Sequence, residues 1–208
     1  VYQDAQGIDK IQKYASLFGL DQKSGVEIEE MDPHVSDTDA VRSSIGQGTN
    51  NYAPVQLARY VTTIANEGNC YDLTLVNEIK NIDGRTVYKS DNVPKNTVDL
   101  TDSQWAVIKQ GMRQMVSEHT SPSALINQIN VNVAGKTGTA EEDTTRPDHA
   151  LFVSFAPYEN PEVSVTCVIP HGYTSGNAEE LAGMVYAYMY DPDKLDTLDI
   201  TGNNQMSD

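Results

Sequence analysis

Apolar residues recur at helical spacing in four stretches of the chain, and each stretch predicts an amphipathic helix. The first runs from Ile8 to Phe18 and stops at Gly19, a residue that commonly ends helices. The second runs from Pro54 to Asn66 and opens on a proline, which suits the first turn of a helix. The third follows a capping box at Thr101 to Gln104, and the fourth covers Asn177 to Tyr190.

Shorter apolar runs bounded by turn residues predict β-strands. Leu73 to Lys80 and Arg85 to Lys89 indicate a hairpin, whereas residues 21 to 43 are polar and predict a loop. Three further strands are predicted at Val131 to Thr139, Ala150 to Ala156 and Glu162 to Ile169, the last two as an antiparallel pair. Strands followed by a helix that packs on them indicate an α+β fold, with an antiparallel sheet flanked by helices.

The length and charge of the chain limit the classes of function that it can have. The chain has 208 residues, with 14 basic against 30 acidic side chains and a formal net charge of −16. Such a surface repels polyanions, so we expect no nucleic-acid partner. No run approaches the ~18 apolar residues of a membrane span, so any anchor is expected outside this chain. Residues 191 to 208 are polar and predict a loose tail after a domain covering residues 1 to 190.

Cysteine and histidine positions give no metal or cofactor signal. Cys70 and Cys167 lack the spacing of a metal or CxxC motif, and we expect both to be free thiols. The four histidines are scattered along the chain without an HExxH or similar ligand motif. The sequence therefore predicts neither a bound metal ion nor a cofactor.

The segment VAGKTGTAEE, Val133 to Glu142, contains the only Gly-Lys-Thr of the chain. A lysine in this setting has two candidate ligands, a nucleotide phosphate or a carboxylate. The phosphate-binding loop G-x-x-x-x-G-K-[ST] requires glycine at position 130, which is Asn130, and a helix after the lysine, where the pattern predicts a strand. Nucleotide binding is therefore excluded.

The carboxylate interpretation places the same residues on an exposed edge strand beside a cleft. Free backbone groups of an edge strand pair with an extended peptide, and Gly138 would allow close approach. Lys136 would supply positive charge, while the hydroxyl groups of Thr137 and Thr139 would donate to a carboxylate. The backbone N–H of Thr139 would form half of an oxyanion hole. Alone, three common residues also fit an ordinary surface strand.

Four separated segments together resemble class B penicillin-binding proteins in their residues, order and spacing. They are SIGQG at 44–48, APVQLA at 53–58, VAGKTGTAE at 133–141 and HALFVSFAP at 149–157. The family consists of the D,D-transpeptidases that cross-link peptidoglycan, and the resemblance covers residues 1 to 190. It implies the penicillin-binding and serine β-lactamase-like fold, of which this chain would be the C-terminal part.

The resemblance also implies site residues, ligands and location. Lys136, Thr137, Gly138 and Thr139 would line the active site, with Lys136 and Thr139 taking part in catalysis and Thr137, Gly138 and Thr139 binding substrate. The ligands would be a D-Ala-D-Ala stem peptide and β-lactams. The parent protein would act at the extracytoplasmic face of a bacterial membrane, joined through the rest of the chain to a membrane anchor and the cell-wall machinery.

The catalytic serine of the family is expected outside this chain. The family takes it from S-x-x-K, and no lysine here has a serine three residues before it. A second family motif, S-x-N, occurs at Ser90-Asp91-Asn92 and Ser175-Gly176-Asn177, both in the wrong order relative to SIGQG; the second resembles a helix cap. Since Val1-Tyr2 resembles the residues that follow the true S-x-N, we expect the chain to begin just past it and to be inactive alone.

The sequence is also compatible with two alternatives. A serine β-lactamase or β-lactam-sensing relative would share Lys-Thr-Gly, although SIGQG and Phe155-Ala156-Pro157 favour the transpeptidases. A non-catalytic scaffold of the cell-wall machinery would keep the fold without the serine.

Two further residues have plain structural interpretations: Gln47 lies between glycines that predict a tight turn, and His149 opens a strand, where a histidine is commonly just exposed.

Overall fold

The computed structural model describes residues 2–119, 123–142 and 144–197. The chain divides into two compact units, Val1–Asp99 and Leu100–Asp208. Helices and strands occur in both units, which agrees with the predicted α+β class. No helix among these residues has the length and apolar composition needed to cross a membrane.

The first unit contains three helices: α1 (Tyr2–Leu17), α2 (Ala40–Ser44) and α3 (Pro54–Ala65). The predictions of α1 and α3 are confirmed, and Gly19 after α1 has a φ of 74°, which favours glycine. The prediction of a continuous loop over residues 21 to 43 is wrong at α2. There the carboxylate of Asp39 caps the helix by accepting the backbone N–H of Arg42 at 3.1 Å.

The first unit also contains two antiparallel strand pairs. β1 (Asn69–Cys70) pairs with β4 (Asn96–Thr97), and β2 (Glu78–Lys80) pairs with β3 (Thr86–Lys89) as the predicted hairpin. The β1–β4 pair was not predicted, because two-residue strands are too short to show alternation.

The first hairpin strand is shorter than predicted, since residues 73 to 77 are not part of it. The Glu27 carboxylate explains the difference: it accepts the hydroxyl of Thr74 and, at 2.8 Å, the backbone N–H of Leu75. These groups are therefore bonded to a residue distant in sequence rather than to the partner strand.

A buried carboxylate, that of Glu30, joins two parts of the first unit. It accepts the backbone N–H of Ser24 at 2.9 Å, the Ser24 hydroxyl at 2.8 Å and the side-chain amide of Gln56 at 2.7 Å. Ser24 and Gln56 are fully buried. Burial raises the pKa of Glu30, but these hydrogen bonds and the nearby charge of Arg59 outweigh it, so the pKa lies below its ordinary value.

We expect Glu30→Ala to lower the free energy of unfolding at pH 7 by about 2–3 kcal/mol, because buried donors on Ser24 and Gln56 lose their acceptor. The lowered pKa sets the pH dependence: the wild-type contribution is complete above the unfolded carboxyl pKa of about 4.3 and is lost as the pH falls through the folded value. Urea unfolding should thus show the gap between the variant and wild type shrinking from pH 7 to pH 3. Glu29→Ala, at an exposed neighbour, is the control, and a gap independent of pH would refute the assignment.

The second unit is built on a three-stranded antiparallel sheet in the order β5–β6–β7. The strands are β5 (Ala134–Ala140), β6 (His149–Ala156) and β7 (Val163–Ile169), preceded by α4 (Asp102–Glu118) and followed by α5 (Ser175–Tyr190). The predicted β6–β7 pair and the capping box of α4 are confirmed. The cap of α5 is Thr174 rather than the predicted Ser175, which is the first helical residue.

The core of the second unit lies between α5 and the sheet. It consists of buried apolar side chains from α4, the segment before β5, the strands and α5: Val116, Ile126, Ile129, Val133, Ala150, Phe152, Ala156, Cys167, Ala178, Ala182, Tyr186 and Ala187. Cys70 and Cys167 are both buried free thiols, as predicted. A 3-10 helix, Pro192–Thr197, follows α5, and residues 198–208 lie outside the described residues. The domain limit at residue 190 and the loose tail stay predictions.

Candidate functional site

The Lys-Thr-Gly residues lie on β5, which is an end strand of the sheet that the described residues form. One edge of β5 is paired with β6 along its whole length, from Ala134 opposite Phe155 to Ala140 opposite His149. The other edge carries the outward-pointing backbone N–H and C=O groups of a terminal strand. An extended ligand can therefore add to this edge as a further strand.

The side chains of β5 alternate between the two faces of the sheet. Thr137 lies opposite Phe152, which is fully buried, so Thr137 and Thr139 are on the core-facing side. Lys136 and Gly138 are on the opposite side. Lys136 and Thr139 are exposed, and the other two are half-buried. All four predicted site residues are thus together on one accessible strand.

The ammonium group of Lys136 is only partly satisfied by the protein. It donates one hydrogen bond, of 2.9 Å, to the backbone carbonyl of Thr137. No carboxylate of the described residues lies within ion-pair distance of it. An ammonium group has three donors, so two remain for an anionic ligand beside the strand edge.

Two glycines of β5 are present for different reasons. A Cβ atom at Gly135 would lie 2.4 Å from Cζ of the buried Phe152, so packing requires glycine there. A Cβ atom at Gly138 would lie 3.4 Å from Cβ of Leu151, an ordinary contact. The fold does not need glycine at position 138, and the missing side chain instead leaves room for something that approaches the strand.

The far end of β5 is bordered by a cluster that the sequence did not predict. Ligand atoms of Glu142, His149 and His171 lie within 4.8 Å of one another. They come from the β5–β6 loop, the first residue of β6 and the turn after β7, so no local spacing links them. His149, expected to be merely exposed, is half-buried with its side chain 27% exposed.

The hydrogen bonds of the cluster assign the histidine tautomers. Nδ1 of His149 accepts the backbone N–H of His171 at 3.0 Å, so the proton of the neutral ring is on Nε2, which lies 3.3 Å from the Glu142 carboxylate. Nδ1 of His171 lies 3.1 Å from the carbonyl of Pro147 and donates to it. A neutral imidazole has one nitrogen lone pair, and that of His149 is occupied. In this geometry His149 offers none to a metal ion, so the cluster is a hydrogen-bonded one.

Two other motifs noted in the sequence, Ser90-Asp91-Asn92 and SIGQG, lie in the first unit. Ser90 follows β3, and its backbone N–H donates to Asn77 at 2.9 Å. The SIGQG segment ends α2 and forms a turn with φ of 85° at both Gly46 and Gly48, which agrees with the turn interpretation. In the segment that follows α4, residues 120–122 lie outside the described residues, and Ser123 is buried and bonded to Glu179.

Comparisons with known proteins find one family. The sequence profile described as the penicillin binding protein transpeptidase domain matches residues 2–188. Penicillin-binding protein 2B of Streptococcus pneumoniae is 29% identical over 180 residues, which cover 79% of this chain and 26% of that protein. Peptidoglycan D,D-transpeptidase PbpA of Mycolicibacterium smegmatis is 31% identical over 174 residues, covering 80% of this chain and 35% of that protein.

Solved structures show the same fold. Penicillin-binding protein A from M. tuberculosis, in its imipenem acyl-enzyme complex, superposes with a TM-score of 0.75 at 26% identity, covering 87% of this chain and 42% of that one. Penicillin-binding protein 2B from S. pneumoniae strain R6 superposes with a TM-score of 0.74 at 28% identity, covering 93% and 34%. The chain therefore spans 26% and 35% of the two curated relatives named above and less than half of the two solved chains.

Proposed function

Because this chain belongs to the penicillin-binding protein transpeptidase family, we propose that it forms the carboxylate-binding wall of a peptidoglycan D,D-transpeptidase. At the open edge of β5, Lys136 reaches the ligand carboxylate from one face of the strand, and the hydroxyl groups of Thr137 and Thr139 reach it from the other. The carboxylate is that of a D-Ala-D-Ala stem peptide or of a β-lactam. The backbone N–H of Thr139 donates to the oxyanion formed during acyl transfer. Gly138 leaves the strand edge open for the ligand.

The proposal rests on two features of β5: an exposed lysine with free donors and a glycine that packing does not require. Lys136 is exposed on an end strand with two free donors, and the neighbouring Gly138 has no packing role. A strand that served only to complete the sheet has no physical need for either feature. Together they suit an anionic, extended ligand that pairs with the strand.

In the proposed reaction a serine hydroxyl attacks the D-alanyl-D-alanine peptide bond. The carbonyl carbon bonds to the serine oxygen, the serine proton passes to the leaving amine, and terminal D-alanine departs. An amine of a neighbouring stem peptide then attacks the ester, which releases the serine and forms the cross-link. Penicillin acylates the same serine when its lactam ring opens.

The serine and its lysine are proposed to lie in a part of the protein outside these 208 residues, since the chain contains no S-x-x-K. This chain alone is then inactive. The complete protein is proposed to act at the extracytoplasmic face of a bacterial membrane, with its anchor and its contacts to the cell-wall machinery also outside this chain. Its relationship to named D,D-transpeptidases supports this location.

The test is the intact mass of the full-length protein after incubation with benzylpenicillin, followed by peptide mapping of the adduct. We expect one adduct, on a serine outside these 208 residues, and the same adduct in a Ser90→Ala variant. An adduct on Ser90 would refute the assignment of the nucleophile. If no adduct formed on a folded protein, the chain would be a non-catalytic scaffold of the cell-wall machinery, and rapid loss of the adduct would indicate a β-lactamase.

A further inference from the structure

We propose that His149 is a positioning residue for β5, acting through Glu142 to hold the end of the strand that carries Thr139. The proposal rests on the function proposed above for β5. His149 itself touches no reacting atom in this proposal. Its effect is on the geometry of the backbone N–H groups that a ligand meets.

His149 lies at the end of the ladder that joins β5 to β6. It lies opposite Ala140, at the last pair of the β5–β6 register, and Thr139 is the preceding residue of β5. The ends of a ladder open more easily than its middle, because they have neighbours on one side alone. The backbone N–H of Thr139, the proposed oxyanion donor, is therefore close to the end of the strand that opens most easily.

The ring of His149 links both sides of this end. Nε2 lies 3.3 Å from the carboxylate of Glu142, two residues beyond β5, and Nδ1 accepts the backbone N–H of His171 at 3.0 Å. A neutral imidazole can do both, since it has one donor and one acceptor nitrogen on different sides of the ring. We call these two contacts the Glu142 arm and the His171 arm.

The His171 arm is fixed to the core. The turn at His171 to Tyr173 is tied to the start of β6 by the bond from the Tyr173 backbone N–H to the Asp148 carbonyl, 3.1 Å. It is tied to α5 by the Asn177 side-chain amide, which donates to the Gly172 carbonyl at 2.8 Å. A Cβ atom at Gly172 would lie 2.8 Å from Cβ of Ala150, so the turn also packs closely on β6.

These contacts form one continuous path. It runs from α5 through the turn to His149, and from His149 through Glu142 to the end of β5. The ring is held in place by the core on one side and so can restrain the exposed strand end on the other. Without the Glu142 arm, the end of β5 keeps its sheet pairing but loses its outer restraint.

The consequence for the reaction is a change in rate rather than in fold. Displacement of a reacting group by 1 Å lowers rates by as much as about a hundredfold, and a loosened strand end is a milder change. We expect loss of the Glu142 arm to slow acylation about tenfold. Since Glu142 is exposed, its removal should leave the melting temperature nearly unchanged.

The experiment measures the second-order rate constant for acylation of the full-length protein by a fluorescent penicillin. His149→Ala and Glu142→Ala should each be about tenfold slower than wild type, and the double variant no slower than either, because both remove one interaction. Glu141→Ala, at the exposed neighbouring carboxylate, is the matched control and should react as wild type does. Additive effects in the double variant would overturn the proposal.

Two conservative variants of His149 distinguish the effect of the Glu142 arm on the rate from that of the His171 arm. The amide N–H of a glutamine can reach Glu142, whereas the shorter asparagine places an oxygen near the His171 N–H. His149→Gln should therefore recover most of the rate and His149→Asn should not. The reverse result would show that the turn alone matters. A rise in the wild-type melting temperature with Zn²⁺ that His149→Ala abolishes would instead reveal a metal site and overturn the proposal.

Hydrogen exchange tests the restraint independently of the reaction. The amides of Gly138 to Ala140 should exchange faster in Glu142→Ala than in wild type or Glu141→Ala. If wild type is not acylated at all, the function proposed for β5 fails, and the exchange rates still decide whether the restraint exists. If wild type is acylated and exchange is the same in all variants, the restraint alone is refuted.

Discussion

Replacing Lys136 by alanine in the full-length protein should slow acylation by penicillin about a hundredfold, the effect of removing one preorganised donor from a reacting site. Its ammonium group has two free donors and no carboxylate partner among the described residues, so its charge is available to the ligand. Because the side chain is exposed, its loss should leave the melting temperature within about 1 °C of wild type. The acylation rate constant checks the expected loss of ligand binding, and the melting temperature checks that stability is unchanged.

The control for Lys136→Ala is Lys89→Ala, which removes another exposed lysine, from the β2–β3 hairpin, and so changes the net charge identically. It should react at the wild-type rate. Lys136→Arg keeps the charge but changes the compact ammonium for a planar fork, and we expect an intermediate rate. A Lys136→Ala variant within about threefold of wild type would show that β5 does not bind the ligand carboxylate.

The two glycines of β5 should respond in opposite ways to alanine. Gly135→Ala forces a methyl group into the space of the buried Phe152, and we expect it to lower the free energy of unfolding by about 3 kcal/mol, or the melting temperature by roughly 10 °C. Gly138→Ala makes an ordinary contact with Leu151 and should leave stability nearly unchanged. Its methyl group should nevertheless slow acylation about a hundredfold, because it blocks the approach of the ligand.

Each glycine variant is the control for the other. Thermal unfolding should separate Gly135→Ala from wild type, and the acylation rate should separate Gly138→Ala. The assignment of Gly138 to ligand approach fails if its alanine variant melts like Gly135→Ala, or if it reacts like wild type.

Much of the fold could be predicted where the signal is local. The capping box of α4 and the proline at the start of α3 are read directly from neighbouring residues. The first hairpin strand was overestimated because Glu27, far away in sequence, takes the hydrogen bonds of Thr74 and Leu75. Local propensity has no access to such a competitor.

The candidate site likewise contains residues that a local pattern predicts and residues that only the folded structure brings together. Lys136 to Thr139 are consecutive, so the sequence could place them on one strand, whereas the roles proposed for them come from the resemblance to a family. The Glu142, His149 and His171 cluster comes from three elements, and its bonds depend on the register of β5 against β6. Both strands were predicted from the sequence, but their pairing with each other was not, and the register also depends on the geometry of the turn that joins them.

The order of the sheet also has a kinetic consequence. Each strand of β5–β6–β7 pairs with the strand next to it in sequence, so the ladder grows by successive hairpin closures, an elementary event of about 1–10 μs. The β1–β4 pair instead joins Asn69 to Thr97 across the β2–β3 hairpin, and closing a longer loop loses more chain entropy. During refolding, the edge that carries Lys136 should thus assemble before the rest of the chain has found its long-range partners.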